Sequence, residues 1–365
     1  MQRLIDSSVI RRGAKLLQKG ELVAFPTETV YGLGADASSA EAVEKIFEAK
    51  GRPQDNPLIV HIGERSQLQE IVDGQLPPGA KKLMDHFWPG PLTLIMSKGD
   101  VISDKTTAGL KTVAVRMPSH PAALALIRAS GLPVSAPSAN ISGRPSPTRA
   151  EHVYKDLQGR IPYIIDGGHC PVGVESTVLD LRKTRPIVLR PGGIPREKIS
   201  DVLNKEVKIK NKEEKTGGET PLSPGMKYRH YAPEAPIKLF SELSPDNLQI
   251  FQQFLIKEEH KRIALILSKE GLQILRDRLD KKKNINKKMN IEYGVFVDKK
   301  IFFCAIGSRK DSSTVARRLF HLLRYFDDNF RPELIIIEEL PTSGLGEAVM
   351  NRLHKAAEDY IYLKK

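Results

Sequence analysis

Four cationic residues stand inside segments dense in proline, glycine and small polar residues: Lys50 and Arg52 in KGRPQDNPLIVH, Arg116 in VRMP, and Arg190 in LRPGG. Arginine keeps its charge at any working pH and can grip a carboxylate or phosphate through two parallel N–H donors. Each could instead be a surface ion-pair partner, but a set of them framed by turn residues suits a pocket that gathers anions. Nearby run PTETVYGLGA, FWPGPLTLI, SAPSANISGRPSPT and GVEST. Proline lowers the entropy lost when a loop is ordered, so such clusters read as loops held rigid around a cavity. Turns such as SAPSAN offer backbone N–H groups and hydroxyls to phosphate oxygens, although an ordinary Asx or Ser turn uses the same residues.

Known nucleotide signatures narrow the chemistry. No GxxxxGK[ST] loop occurs, which argues against a P-loop kinase or GTPase. Gly32, Gly34 and Ala37 match GxGxx[GA] ahead of a helix, but PTETVY separates them from a strand ending near Phe25. A dinucleotide turn follows its strand directly. We read these glycines as a turn that lets backbone approach a ligand or a neighbour, with a plain turn as the alternative. Cys170 and Cys304 have neither CxxC spacing nor a nearby ligand cluster, so neither a disulfide framework nor a zinc site is expected. That cysteine usage fits a reducing cytosol. No signal-peptide core and no run near the ~20 apolar residues of a membrane span are present, so a cytoplasmic protein without membrane contact is expected.

The elements that must position these residues follow from periodicity. A chain of 365 residues exceeds what one core usually organises, so two domains are expected. Up to about residue 200, helical patterns alternate with short β-rich runs, which argues for α/β architecture around one sheet. Ahead of Lys50, Ser38 and Glu41 stand in capping-box spacing, Val43, Ile46 and Phe47 form an apolar stripe, and Gly51 is placed to end the helix. Residues 1–204 form the first expected domain. Residues 205–235 read as a linker, within which SPGMKYRHYAP is too rich in Met, Tyr and His for a passive tether. From 236 to 365, aliphatic runs between amphipathic helices indicate a smaller parallel, Rossmann-like α/β domain. There Val315, Leu319, Leu322 and Phe326 share one buried helix face. The net charge of +13 attracts phosphate-bearing ligands without distinguishing ATP from RNA, and Lys281 to Lys288 reads as a solvated loop.

The Pro-framed segments, in this order, resemble the YrdC-type threonylcarbamoyl-AMP synthase family. SPGMKYRHYAP and the α/β region after it are similar to the family's long two-domain form. The likeness is dense from about residue 7 to 235 and weaker beyond. It implies a twisted open sheet with a concave positive cleft. It also implies synthesis of L-threonylcarbamoyladenylate from L-threonine, bicarbonate and ATP, with release of pyrophosphate, for N6-threonylcarbamoyladenosine modification of tRNA next to the anticodon.

By that resemblance Thr29, His61, Arg116 and Ser176 bind L-threonine, with Arg116 anchoring the carboxylate. Arg52, Asn56, Thr112, Ser138, Asn140, Ser146, Arg190 and Tyr231 bind the nucleotide, and Lys50 and Arg52 neutralise charge in catalysis. Tyr231 belongs to a segment expected to act as a lid; plain interdomain packing is its alternative. His61 could equally be a strand histidine satisfied by backbone. Mg2+ is expected to arrive with ATP, since no carboxylate cluster suggests a protein cage. The product is expected to pass to a separate tRNA threonylcarbamoyl transferase complex. Three rivals remain: a module that binds RNA, weakly or as its main task, through phosphate contacts; a hydrogenase-maturation carbamoyl transferase, which would need zinc-finger cysteines absent here; and a dehydrogenase resting only on the glycines.

Overall fold

Short aliphatic runs between Leu22 and Ile209 form strands β1 (Val23–Phe25), β2 (Gly32–Asp36), β3 (Ile59–His61), β4 (Leu92–Ser97), β5 (Thr112–Arg116), β6 (Val134–Ser135), β7 (Tyr163–Ile164), β8 (Thr177–Asp180), β9 (Ile187–Arg190) and β10 (Lys208–Ile209). The computed structural model describes residues 6–210, 230–258, 261–278, 285–288, 291–296 and 300–361. They divide into two compact units: residues up to 142 with 146–210, and residues 143–145 with those from 230 onward. Most of the linker expected at 205–235, including 223–229 of its SPGMKYRHYAP segment, lies outside the described residues.

The first unit is built on one mixed sheet in the order β10-β9-β8-β4-β5-β3-β6-β2-β1-β7. Successive strand residues point to opposite faces, and the two faces here differ in kind. One carries Val60, Leu94, Met96, Val113, Val115, Leu179 and Val188 into the large apolar core. On β3, β4, β5, β8 and β9 the other carries a small cluster, Ile59, Ile95, Ala114 and Val178 with Leu189 against it, while Val23, Phe25 and Val134 continue that face into a separate core. Polar residues in phase with that thin layer are the ones available for chemistry.

Three local expectations are corrected. The helix Ala40–Lys50 is capped by Ser39, whose Oγ accepts from Ala42 N at 3.1 Å. Ser38 is instead captured by Asp36 Oδ1, at 2.9 Å from its N–H and 2.7 Å from its hydroxyl. Gly51 ends that helix in the left-handed region, φ 59°, as its sequence position suggests. Gly32 and Gly34 lie in strand β2 rather than in a turn. A Cβ at Gly34 would come within 2.7 Å of the Phe25 ring and 3.0 Å of Val134, so the glycine gives room to a neighbour and forms no dinucleotide loop. Beyond residue 204 the chain still belongs to this unit, because β10 pairs with β9 and Val207 is buried in the core.

The second unit contains β11 (Ile237–Phe240), β12 (Ile263–Ser268), β13 (Ile285–Lys288), β14 (Ile291–Phe296), β15 (Ile301–Gly307), β16 (Leu334–Glu338) and β17 (Asp359–Ile361), in the order β13-β14-β15-β12-β16-β11-β17. The five strands from β15 to β17 run parallel, and β13 and β14 add an antiparallel edge. This is a Rossmann-like α/β domain. Residues 285–288, expected in a solvated loop, form the edge strand, while 281–284 lie outside the described residues. Val315, Leu319, Leu322 and Phe326 are all buried, as their spacing requires. At the end of β16 the carboxylate of Glu338 is 1% exposed and accepts from Leu243 N at 2.8 Å and Ser268 N at 2.5 Å while pairing with Arg309. One acid thus ties the loops after β11 and β15 to the ends of β12 and β16.

Candidate active site

Strand β5 carries Thr112, Ala114 and Arg116 on the face of the thin apolar layer, at the period of two that a strand imposes. Arg116 is 3% exposed. Its Nη1 donates to Thr29 Oγ1 at 3.0 Å, its Nη2 to Glu28 Oε1 at 2.6 Å, and its Nε to the Gly90 carbonyl at 3.3 Å. Thr29 is held in turn by Thr27, the two hydroxyls 2.8 Å apart. The other oxygen of Glu28 accepts from Ser119 N at 3.0 Å. His61 pairs in register with Arg116 across β3 and β5. Burial, reinforced by the Arg116 charge, pushes its pKa down to about 3, so the imidazole is neutral. Its Nδ1 lies 3.2 Å from the Ile59 carbonyl, the backbone satisfaction that a strand histidine finds.

Strands β8 and β9 bring the second arginine to the same face. Val178 pairs with Arg190 and Leu179 with Val188, so Leu189 is an extra residue, a β-bulge. A regular ladder running through Leu189 would give Arg190 the face of Val188, in the apolar core; with the bulge, Arg190 follows Val178 to the opposite side. There Nη2 donates to Ser176 at 2.9 Å from the carbonyl and 3.1 Å from Oγ, and Ser176 Oγ lies 2.8 Å from Thr93 Oγ1. Gly192 packs directly on this turn; a Cβ there would stand 2.3 Å from the Ser176 carbonyl carbon.

Lys50 is the last residue of its helix and is 1% exposed; its Nζ donates to the carbonyls of Ser138 and Asn140, each at 2.5 Å. Arg52 donates to the carbonyls of Asn56 and Pro57, both at 3.1 Å. Among the described residues, Nδ2 and Oδ1 of Asn56 are buried with no hydrogen-bond partner. Ser146 Oγ donates to Glu175 Oε1 at 2.5 Å. Thr112 and Ser138 are half-buried. Tyr231 belongs to the second unit, where it sits at φ 68° with its ring stacked on Phe320 at 5.4 Å and the Arg352 guanidinium 5.5 Å from its centre.

The structure therefore brings Arg116 together with Thr29 and His61, Arg190 with Ser176, Lys50 with Ser138 and Asn140, and Arg52 with Asn56. All four cations are buried, which removes the surface ion-pair reading. Buried cations beside hydroxyl groups are chemically suited to receiving anions. Cys170, whose thiol pKa burial raises, is no nucleophile.

Two family models divide the chain: the Sua5, YciO and YrdC family, described as telomere recombination, over residues 15–192, and the threonylcarbamoyl-AMP synthase C-terminal domain over residues 194–358. The threonylcarbamoyl-AMP synthase of Bacillus subtilis is 49% identical over 350 residues, covering 95% of this chain and 92% of the relative. The chain belongs to the threonylcarbamoyl-AMP synthase family. The synthase of Pyrococcus abyssi is 44% identical over 356 residues, covering 97% of this chain and 95% of the relative. The crystal structure of P. abyssi Sua5 complexed with L-threonine superposes with a TM-score of 0.85 at 42% identity, covering 99% of this chain and 97% of that one. With the glycines placed in a strand, the dehydrogenase rival loses its one support.

Seen as a threonylcarbamoyl-AMP synthase, the chain holds three buried polar groups at this site that motif reading passed over: Glu28 on Arg116, Thr93 on Ser176 and Glu175 on Ser146. The signal for two of them was present in PTETVYG and GVEST, where an acid stands next to a hydroxyl residue predicted for the site. Thr93 lies within an aliphatic strand and gave none.

Proposed function

We propose that this chain makes L-threonylcarbamoyladenylate from L-threonine, bicarbonate and ATP, releasing pyrophosphate, for threonylcarbamoylation of adenosine next to the tRNA anticodon. The observation that carries the reading is the pair of buried arginines, Arg116 and Arg190, on one face of one sheet, each bonded to a hydroxyl residue. Three negatively charged reactants repel one another, and such fixed cations offset the repulsion in a poorly screened cavity. The activity for which the relatives are named and the L-threonine in the P. abyssi crystal support it.

In this reading Arg116 holds the threonine carboxylate, and Thr29, His61 and Ser176 line the rest of that subsite. Arg52, Asn56, Thr112, Ser138, Asn140, Ser146 and Arg190 hold the nucleotide, where the buried amide of Asn56 supplies an uncommitted donor and acceptor. Tyr231 is kept among the nucleotide residues on the family resemblance alone. Once the ammonium group has lost a proton to solvent, the neutral amine attacks the bicarbonate carbon, water departs, and the resulting carbamate oxygen attacks the α-phosphorus of ATP and expels pyrophosphate. Lys50 and Arg52 offset the charge gathered in this step, so catalysis is mainly positioning and neutralisation. Of the acids at the site, Glu28 pairs with the Arg116 cation and Glu175 accepts from Ser146. That set does not fit a protein-held Mg2+, and we assign the ion to the nucleotide's phosphate oxygens and water. We place the reaction in the cytoplasm and assign it to the first unit, which includes β10, with a linker after it and 236–365 as a supporting domain. The adenylate would pass to a separate tRNA threonylcarbamoyl transferase.

Mass spectrometry of a reaction with isotope-labelled bicarbonate tests this. The label is expected in an adenylate that forms only when threonine, bicarbonate and ATP are all present. ATP cleavage indifferent to threonine would refute the scheme.

A further inference from the structure

We propose that Glu28 reads the α-ammonium group of the incoming amino acid, so that Glu28 and Arg116 together select a zwitterion. The inference rests on Arg116 as the carboxylate anchor. Glu28 is 7% exposed and lies 2.6 Å from the Arg116 guanidinium. A resident carboxylate on an anion-binding arginine weakens its pull on an incoming carboxylate, and burying the acid costs desolvation. Its placement makes sense if the ligand also brings a positive charge. In an α-amino acid the nitrogen stands about 2.5 Å from the carboxylate carbon, by the N–Cα and Cα–C lengths and the angle between them. A ligand gripped by Arg116 must therefore set its ammonium group close to whatever flanks that guanidinium.

Among the charged groups at this site, one anion stands beside Arg116 to meet it. His61 is neutral. Lys50, Arg52 and Arg190 are cations. Asp180 is paired with Arg182, and Glu175 accepts from Ser146. Each oxygen of Glu28 accepts one hydrogen bond from the protein, from Arg116 and from Ser119 N, and a carboxylate oxygen can accept two. Room for an N–H donor thus remains on both. The arrangement predicts discrimination against acids that carry threonine's carboxylate and hydroxyl but no amine.

The test measures binding of L-threonine and of 3-hydroxybutyrate with the same hydroxyl configuration to the full chain. The wild type is expected to prefer threonine by about tenfold to a hundredfold, the range of a hydrogen bond to a charged group. Glu28→Gln should remove most of that preference by weakening threonine alone, and Glu28→Asp, which keeps the charge, should retain part of it. Equal weakening of both ligands by Glu28→Gln, or a wild type without preference, overturns the proposal and leaves Glu28 as a brace for Arg116. Arg116→Gln should weaken both ligands. If it spares both, the anchor assignment itself fails, an outcome separate from any result at Glu28.

Discussion

His61 makes the stability of the first unit depend on pH in a way that can be calculated. Its folded pKa is pushed down to about 3 from an ordinary 6.5, first by burial and then by the Arg116 charge. Below pH 6.5 the unfolded chain binds a proton at this residue and the folded chain does not, so stability falls as pH drops. Each pH unit is worth about 1.36 kcal/mol, so from pH 7 to pH 5 the loss is about 2 kcal/mol. That figure hardly changes if the folded value lies anywhere below about 4. His120, also pushed down by burial, adds a loss of the same sign. Comparison of the wild type with His61→Gln isolates the His61 share. Urea unfolding followed at pH 5, 6, 7 and 8 should give a variant whose loss between pH 7 and pH 5 is smaller by about 2 kcal/mol. Parallel pH profiles for the two proteins would refute the burial argument, and with it the claim that His61 presents a neutral ring to the ligand.

Two further substitutions probe the scaffold. Gly192→Ala would place a methyl group 2.4 Å from both Glu175 O and Thr177 N, backbone atoms that cannot swing away, so a loss of about 3 kcal/mol is expected in urea unfolding, and near-wild-type stability would contradict the close approach. Glu338→Gln leaves Arg309 against a neutral amide in a buried place; since Glu242 still pairs with Arg309, the expected cost is about 3 kcal/mol, the lower end for breaking a buried pair. Thermal melting reads it, and a shift too small to measure would show that the clasp contributes little.

Much of this architecture is legible before folding, where local chemistry and fold agree. Aliphatic runs such as PLTLIM and LIIIE are strands because nothing else buries them, and Gly51 ends its helix because a glycine adopts that φ without strain. What escaped depends on distant partners. Ser38 and Ser39 are the same residue type, and only the competing acceptor Asp36 decides which one caps. The Gly32 strand reads as a turn until Phe25 is seen to need the space. Lys287 and Lys288 read as solvent-exposed loop, yet their backbone closes a sheet edge. Of the site itself, the cations were visible as residue types in turn-rich context, whereas the Arg116–Glu28 pair required knowing that residues 88 apart in sequence come together.

The extra residue at Leu189 separates two demands that a regular ladder would set against each other. Up to Val188 the strand obeys the oily layer beneath it; one step later the parity has flipped, and a guanidinium emerges beside Ser176. The pairing of this stretch decides where the charge goes: regular pairing with Leu189 retained would turn Arg190 toward the interior, whereas removing Leu189 would restore alternation and leave Arg190 opposite Val178.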